Sequence, residues 1–289
     1  MESRHTLTTA DRVSLAYRLW RCPTPSRTPP LVLIHGAASN LTRWSEFVEA
    51  TRLKATCDIL RLDLRGHGAS PLRGKLSLEI WADDLAAILR HERIDRAIVG
   101  GHCLGANVSV VFAARHPAMT AGLVLVEPML REALTGTLRR LRALAPLFRL
   151  AVAIIRLANR LGIYRRRLGE LDLRELDREF RARLSAAGGG EALVKRYASP
   201  RHDLQIMPSA NFLQDLIEVT RPLPLDRIHA PFLALLSTGR TFADPDITQQ
   251  LLKPLAQGAI QTLDAKHWIP TEQPEAMRSA IEAWCDRIR

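Results

Sequence analysis

Lysine and aromatic residues are scarce in this chain of 289 residues, although the chain is strongly basic. Only residues 54, 75, 195, 253 and 266 are lysine, so arginine carries nearly all of the formal net charge of +11. Aromatic residues make up 5% of the sequence, and no nucleic-acid recognition module is visible. We therefore expect no nucleic-acid partner, because proteins that bind single strands use stacking aromatic side chains. Abundant arginine is also typical of a compositional bias of the whole genome.

Cysteine occurs four times, without the spacing of a disulfide framework or a zinc site. None of the four belongs to a C-x-x-C pair, and we expect neither a metal nor an organic cofactor. The first twenty residues are polar and alternating, unlike the apolar core of a signal peptide. No uncharged apolar run approaches the roughly 20 residues that a membrane span needs. A cytoplasmic location is the default expectation.

Strand-like and helix-like stretches alternate along most of the chain. The segment PPLVLIHG (29–36) is a short apolar run of the kind that forms a strand buried on both faces. This alternation predicts a doubly wound, mostly parallel α/β sheet. It pauses over 129–222, where only helix-like patterns occur. We therefore predict a core domain built from 1–128 and 223–289, with 129–222 inserted after the sixth strand as a helical cap, or lid.

The stretch RAIVGGHCLGANVSVV (96–111) places a cysteine between a strand and a helix. A strand, a G-x-C-x-G sequence and a helix are the context of a nucleophile elbow. The elbow is a strained turn, so Gly101 and Gly105 are needed beside its apex, Cys103. The turn would also aim the free N–H groups of the next helix at any anion formed there.

Three other motifs occur in a fixed order around this elbow. They are HG at His35-Gly36 directly after a strand, DLRGHGAS at 63–70, and KHWIPTEQPEAM at 266–277. Together with the elbow, they resemble the α/β-hydrolase fold superfamily over nearly all of the chain outside the insertion. The resemblance implies a doubly wound sheet with a lid, and loop-organising roles for His35, His67 and Asp63.

The resemblance also implies catalytic roles. It assigns the proton-transferring histidine to His267, with Lys266 in place of the usual glycine. The backbone N–H groups of Ala37 and Leu104 would form the oxyanion hole. Most members have serine where this chain has Cys103, but some, including dienelactone hydrolases and polyester synthases, use cysteine. A thiol beside a histidine and a helix N-terminus ionises readily to a nucleophilic thiolate. We favour Cys103 as the nucleophile over an inert buried cysteine.

A catalytic histidine needs a carboxylate to orient it. The resemblance favours Asp244, in the loop after the seventh strand, followed by Asp246. Asp244 could instead cap the next helix. Glu127, at the end of the sixth strand in LVLVEP, is the alternative acid.

These observations predict a hydrolase that cleaves an ester, lactone or thioester with an apolar acyl part through a Cys-His-acid triad and an acyl-enzyme. The alternatives are an acyltransferase that uses the same cysteine and a non-catalytic ligand-binding protein. A second question concerns residues 131–167, which contain ten arginines and one acid, Glu132. We favour a solvated lid, and the same surface could also weakly contact an anionic membrane or an acidic carrier protein. The substrate and the oligomeric state stay open.

Overall fold

Eight strands form one sheet in the computed structural model, which describes residues 2–23, 28–184, 199–255 and 257–288. Their order across the sheet is β1-β2-β4-β3-β5-β6-β7-β8, and β3 to β8 run parallel. The N-terminal β1 and β2 form an antiparallel hairpin, and β2 pairs antiparallel with β4. The strands are β1 (Glu2–Thr8), β2 (Ser14–Trp20), β3 (Leu31–Ile34), β4 (Ile59–Leu62), β5 (Ala97–His102), β6 (Thr120–Val126), β7 (Phe232–Ser237) and β8 (Gly258–Leu263).

Helices connect the parallel strands and cover both faces of the sheet. Trp81 and Phe112, from two of these helices, pack on one face, while Phe47 and Trp284 pack on the other. Every residue of β3, β5 and β6 is buried, as expected for parallel strands covered on both faces. The helices of the described residues are α1 (Ser45–Ala50), α2 (Leu78–His91), α3 (Leu104–Arg115), α4 (Gly136–Ala143), α5 (Ala145–Arg160), α6 (Leu173–Leu184), α7 (Pro200–Ile206), α8 (Ser209–Val219), α9 (Pro245–Leu252), α10 (Ile269–Glu272) and α11 (Pro274–Cys285).

The helices α4 to α8 are all inserted between β6 and β7. This arrangement confirms the predicted fold class, a mostly parallel α/β sheet with a helical insertion after the sixth strand. Residues 185–198 of the insertion lie outside the described residues. The division into a core domain (1–128 and 223–289) and a cap domain (129–222) stays a prediction. Among the described helices, none is long and apolar enough to cross a membrane.

The parallel strands all end at one edge of the sheet. Cys103 follows β5 directly, Glu127 follows β6 directly, and His267 follows β8 after a short loop. In doubly wound sheets, ligands bind outside the carboxyl ends of the strands. The topology therefore brings these three side chains, far apart in the sequence, to one edge.

Candidate active site

Cys103 occupies the sharp turn between β5 and α3. Its backbone angles are φ 54° and ψ −113°, a conformation that non-glycine residues rarely adopt. The turn is possible because the residues two positions before and after Cys103, Gly101 and Gly105, have no side chains. A Cβ added to Gly101 would lie 2.3 Å from the carbonyl carbon of Gly105, and one added to Gly105 would lie 2.4 Å from the Ile34 carbonyl oxygen. The backbone strain is thus held by close packing of the turn against β3, as strained functional residues require.

His267 contacts both Cys103 and Glu127. Its Nδ1 lies 2.9 Å from Oε2 of Glu127, and the ring is close enough to the Cys103 side chain for that group to raise its pKa. Because a carboxylate only accepts hydrogen bonds, Nδ1 carries the proton and Nε2 is left for the thiol. The other oxygen of Glu127 accepts a hydrogen bond of 2.5 Å from the backbone N–H of Ser237. Glu127 therefore spans from β6 across β7 to the histidine loop.

Glu127 and Cys103 favour the protonated form of the His267 imidazole. Burial by itself would lower the pKa of His267, but its interactions with Cys103 and Glu127 raise it to about 10. This environment favours the imidazolium form of the ring. Glu127 is held in an unusual backbone conformation with φ 52°, and strained residues of this kind cluster at functional sites.

Asp244, the acid favoured from the sequence, lies elsewhere. It is the N-cap of α9, where its Oδ1 accepts hydrogen bonds from the N–H groups of Asp246 and Ile247 at 2.9 and 3.3 Å. Its other oxygen pairs with the guanidinium of Arg240 at 2.8 Å, and Asp246 pairs with the same arginine. The carboxylate that contacts His267 is thus that of Glu127, the alternative acid, and not that of Asp244, the first choice from the sequence. The capping role considered for Asp244 is the one observed.

The loop after β3 lies against the elbow. A Cβ added to Gly36 would be 3.5 Å from the Cβ of Cys103 and 3.2 Å from Nδ1 of His102, so the backbone approaches closely here. The next residue, Ala37, lines the same cavity as Cys103. Leu104 is the first residue of α3, and the N–H groups of a first helical turn have no partner within the helix. The backbone N–H groups of Ala37 and Leu104 thus both belong to segments beside the thiol of Cys103.

Two further histidines hydrogen-bond to the backbone of the loops around the site. His35 accepts a hydrogen bond from the Leu64 N–H at 3.0 Å and donates one to the Gly36 carbonyl at 2.8 Å, which joins the loops after β3 and β4. His102 donates a hydrogen bond of 3.1 Å to the backbone carbonyl of His267. Burial, followed by the charge of His267, lowers the pKa of His102 well below its ordinary value. His35 and His102 thus bond to the backbone.

His67 contacts a helix of the insertion, in addition to the loop-organising role that its motif predicts. Its Nε2 lies 2.8 Å from Oδ2 of Asp215, a fully buried residue of α8 in the insertion. The same oxygen accepts a hydrogen bond of 3.1 Å from the Ala38 N–H. Burial disfavours the charged ring, but the charge and hydrogen bond of Asp215 raise the pKa of His67. Sequence reasoning missed Asp215, since nothing local marks a partner 148 residues away.

A second pair that sequence reasoning missed connects α6 to the core. Arg43 lies 2.8 Å from Asp177 of α6, and both side chains are buried. The same guanidinium donates a 2.7 Å hydrogen bond to Thr271, in the segment that follows His267. Such a buried pair is costly to break, because either charge left alone would stay desolvated.

Cys103 and His267 line a cavity of about 410 Å³. Its lining is mostly apolar and comes largely from the insertion: Leu138, Leu141, Phe148, Phe212, Leu213 and Leu216. Polar groups enter it at few places, among them Ser39 and Asp203. A mostly apolar pocket with a few polar groups is typical of a small-molecule site. In the described part of the chain, no group of three or more His, Cys, Asp or Glu side chains could hold a metal ion.

Comparison with known proteins identifies the family. Residues 31–280 match the Alpha/beta hydrolase family. An abhydrolase domain-containing protein of Schizosaccharomyces pombe is 30% identical over 115 residues, which are 40% of this chain and 42% of that protein. The chain thus aligns with about two fifths of the length of this relative. The sn-1-specific diacylglycerol lipase ABHD11 of Danio rerio is 24% identical over 276 residues, covering 94% of this chain and 83% of the lipase.

The solved structures agree on the fold. A hydrolase from Pseudomonas aeruginosa superposes with a TM-score of 0.67 at 24% sequence identity, covering 98% of each chain. The chain therefore belongs to the alpha/beta hydrolase family, as the motifs predicted. Membership supports the coarser prediction of a hydrolase and leaves the nucleophile, the acid and the substrate to be argued from the site.

Proposed function

We propose that this protein cleaves an ester, lactone or thioester with an apolar acyl part through a covalent intermediate on Cys103. The observation that carries the proposal is the continuous chain from Glu127 through His267 to Cys103, opening into a mostly apolar cavity. The similarity to a diacylglycerol lipase, an enzyme named for an ester with apolar acyl groups, supports the same substrate class.

The first step forms a thioester. The thiolate of Cys103 attacks the carbonyl carbon, and the carbonyl electrons move to oxygen, which the N–H groups of Ala37 and Leu104 stabilise. The protonated ring of His267 then donates its Nε2 proton to the leaving alkoxide or thiolate as the bond to the acyl carbon breaks. Glu127 keeps the Nδ1 proton in place and stabilises the positive ring.

The second step releases the acid. His267, now neutral, takes a proton from water, and the hydroxide oxygen attacks the thioester carbonyl in the same oxyanion hole. The carbon–sulfur bond breaks, Cys103 leaves as a thiolate, and the ring is again an imidazolium. If an alcohol, amine or thiol replaced water, the same site would transfer the acyl group.

Intact-protein mass spectrometry after brief exposure to a panel of activated acyl esters tests the proposal. We expect a mass gain equal to one acyl group on the wild type and on Cys22→Ala, and none on Cys103→Ala. Cys22 is the matched control because it is the most accessible of the other cysteines and does not line the cavity. An adduct that clears with time supports hydrolysis, whereas one that persists until a nucleophile is added supports the acyltransferase. No adduct, with a thiol that also resists alkylation, would overturn covalent catalysis in favour of a binding protein.

A further inference from the structure

One face of α5 exposes a row of large apolar side chains. Five residues at alternating spacings of three and four continue this face, four on α5 and Leu161 at its C-cap, and each is between 58% and 71% exposed: Leu147, Leu150, Ile154, Leu157 and Leu161. Spacings of three and four place residues on one side of a helix. We call these five residues the outer row. Soluble proteins seldom expose a continuous apolar face of this kind without a partner.

The outer row cannot turn inward, because the opposite side of α5 is already packed. Val152 is buried there, and with Phe148 and Ile155 it packs against Ala210 and Ile217 of α8. The helix thus has two apolar faces, one used within the fold and one not. Its second face needs an occupant from outside the described chain.

The charge around the outer row is of one sign. Arg149 and Arg160 lie on α5 at its border, about a quarter turn from the row by helical geometry. Six more exposed arginines lie on either side of the helix in sequence: Arg131, Arg139, Arg140, Arg165, Arg166 and Arg167. None of these eight forms an ion pair with a carboxylate of the described residues, and the only acid between 131 and 167 is Glu132. The outer row therefore has two arginines along one side on α5, and the segments before and after the helix add further exposed basic charge.

The outer row and the arginines beside it favour a lipid surface over a second copy of the chain as the binding partner. A second copy of the chain, paired through the same face, would bring two arginine-rich edges together without acids to neutralise them. A lipid surface with anionic headgroups can bind both the outer row and the arginines, since aliphatic side chains enter the acyl boundary while arginines bind the headgroups. Long arginine side chains can reach the headgroup level with their stems along the apolar surface.

We infer that the outer row and its arginines dock this protein on an anionic membrane surface. The docking helix also forms part of the cavity wall: Phe148 of α5 lines the cavity, as do Leu138 and Leu141 of α4. The side of α5 that would enter the lipid is thus directly behind the wall of the proposed acyl pocket. The docking itself does not depend on the proposed reaction and is measured without it.

Flotation with vesicles tests this inference on the full chain. We expect the wild type to float with phosphatidylcholine–phosphatidylglycerol vesicles and to stay behind with phosphatidylcholine alone, and moderate salt to weaken flotation. The double variant Leu150→Gln/Ile154→Gln should lose flotation. Because each arginine near an anionic surface contributes on the order of 1 kcal/mol, Arg149→Gln/Arg160→Gln should weaken partitioning about 30-fold.

Matched controls make the same changes away from α5. Ile247→Gln on α9 and Arg227→Gln replace exposed residues of the same types and should leave flotation unchanged. Absence of flotation with anionic vesicles would overturn the inference, as would equal flotation with neutral ones. If the free protein forms a dimer in sedimentation that Leu150→Gln/Ile154→Gln dissociates, the occupant is a second copy and the membrane proposal is wrong. Flotation that survives both double variants would also refute it.

Discussion

Replacing Glu127 with glutamine removes the negative charge beside His267 and the acceptor for its Nδ1 proton. Glutamine keeps the shape of the side chain and an oxygen for the Ser237 N–H, but its amide NH2 group, a donor, then faces the ring. A hydrogen bond to a charged group contributes roughly 1.5–3 kcal/mol. If that contribution is made in the transition state of acylation, kcat/KM should fall about 10- to 150-fold. Burst kinetics with a chromogenic ester measure the acylation step directly.

The same variant should change the pH profile in a defined direction. The pKa of His267 is raised to about 10 partly by Glu127, so without that charge the imidazolium loses its proton at lower pH. The alkaline limb of kcat/KM should therefore move to lower pH. Asp244→Asn is the control, because asparagine caps a helix as well as aspartate does and the Arg240 pair is exposed. The reasoning is refuted if Asp244→Asn costs as much activity as Glu127→Gln, or if the alkaline limb of the Glu127→Gln variant stays in place.

Two stability predictions follow from the packing and the charges. Gly105→Ala should lower the free energy of unfolding by about 3 kcal/mol in urea, because its Cβ would meet the Ile34 carbonyl. Gly169→Ala, whose nearest atoms are at 3.7 Å, should change it little, and equal losses would contradict the packing argument. Burial, then the charge of Asp215, raises the pKa of Asp203 to about 7 from 3.8, so the folded state holds a proton that the unfolded state releases. Stability contributed by this group is thus lost as pH rises from about 4 to about 7. Asp203→Asn should therefore be more stable than the wild type by up to ~4 kcal/mol near pH 8, and by little near pH 4. A difference between the two proteins that does not depend on pH would argue against this assignment.

Local patterns in the sequence were sufficient to predict the fold. The buried run LVLI of β3 and the small-residue turn after β5 each restrict the backbone to one conformation, and their order along the chain specifies a doubly wound sheet. The start of α2 likewise depends on a local contact, since the Ser77 hydroxyl accepts a hydrogen bond from the Ile80 N–H at 3.2 Å. Such features depend on residues close in sequence.

The acid of the site could not be chosen in the same way. A parallel sheet brings the ends of β6 and β7 to one edge, so the topology permits either Glu127 or Asp244. The choice is decided by side-chain direction and reach. Glu127 turns at φ 52° and extends across β7, whereas Asp244 follows a longer loop and is engaged at the start of α9. Neither the backbone turn nor the capping geometry can be read from spacing alone.

The insertion is attached to the core in two physically different ways. Its α6 and α8 are held by buried charged pairs, Arg43–Asp177 and His67–Asp215, which are directional and costly to break. Its α5 is held largely by apolar contacts around Val152, which tolerate sliding because they have no preferred direction. The polar contacts of α5 to α8 include a long hydrogen bond of 3.4 Å from Arg156 to Gln214. The same helix carries the outer row and contributes Phe148 to the cavity wall, so a surface that bound it would act on a part of the lining held mainly by apolar contacts, while α6 and α8 are anchored by charged pairs.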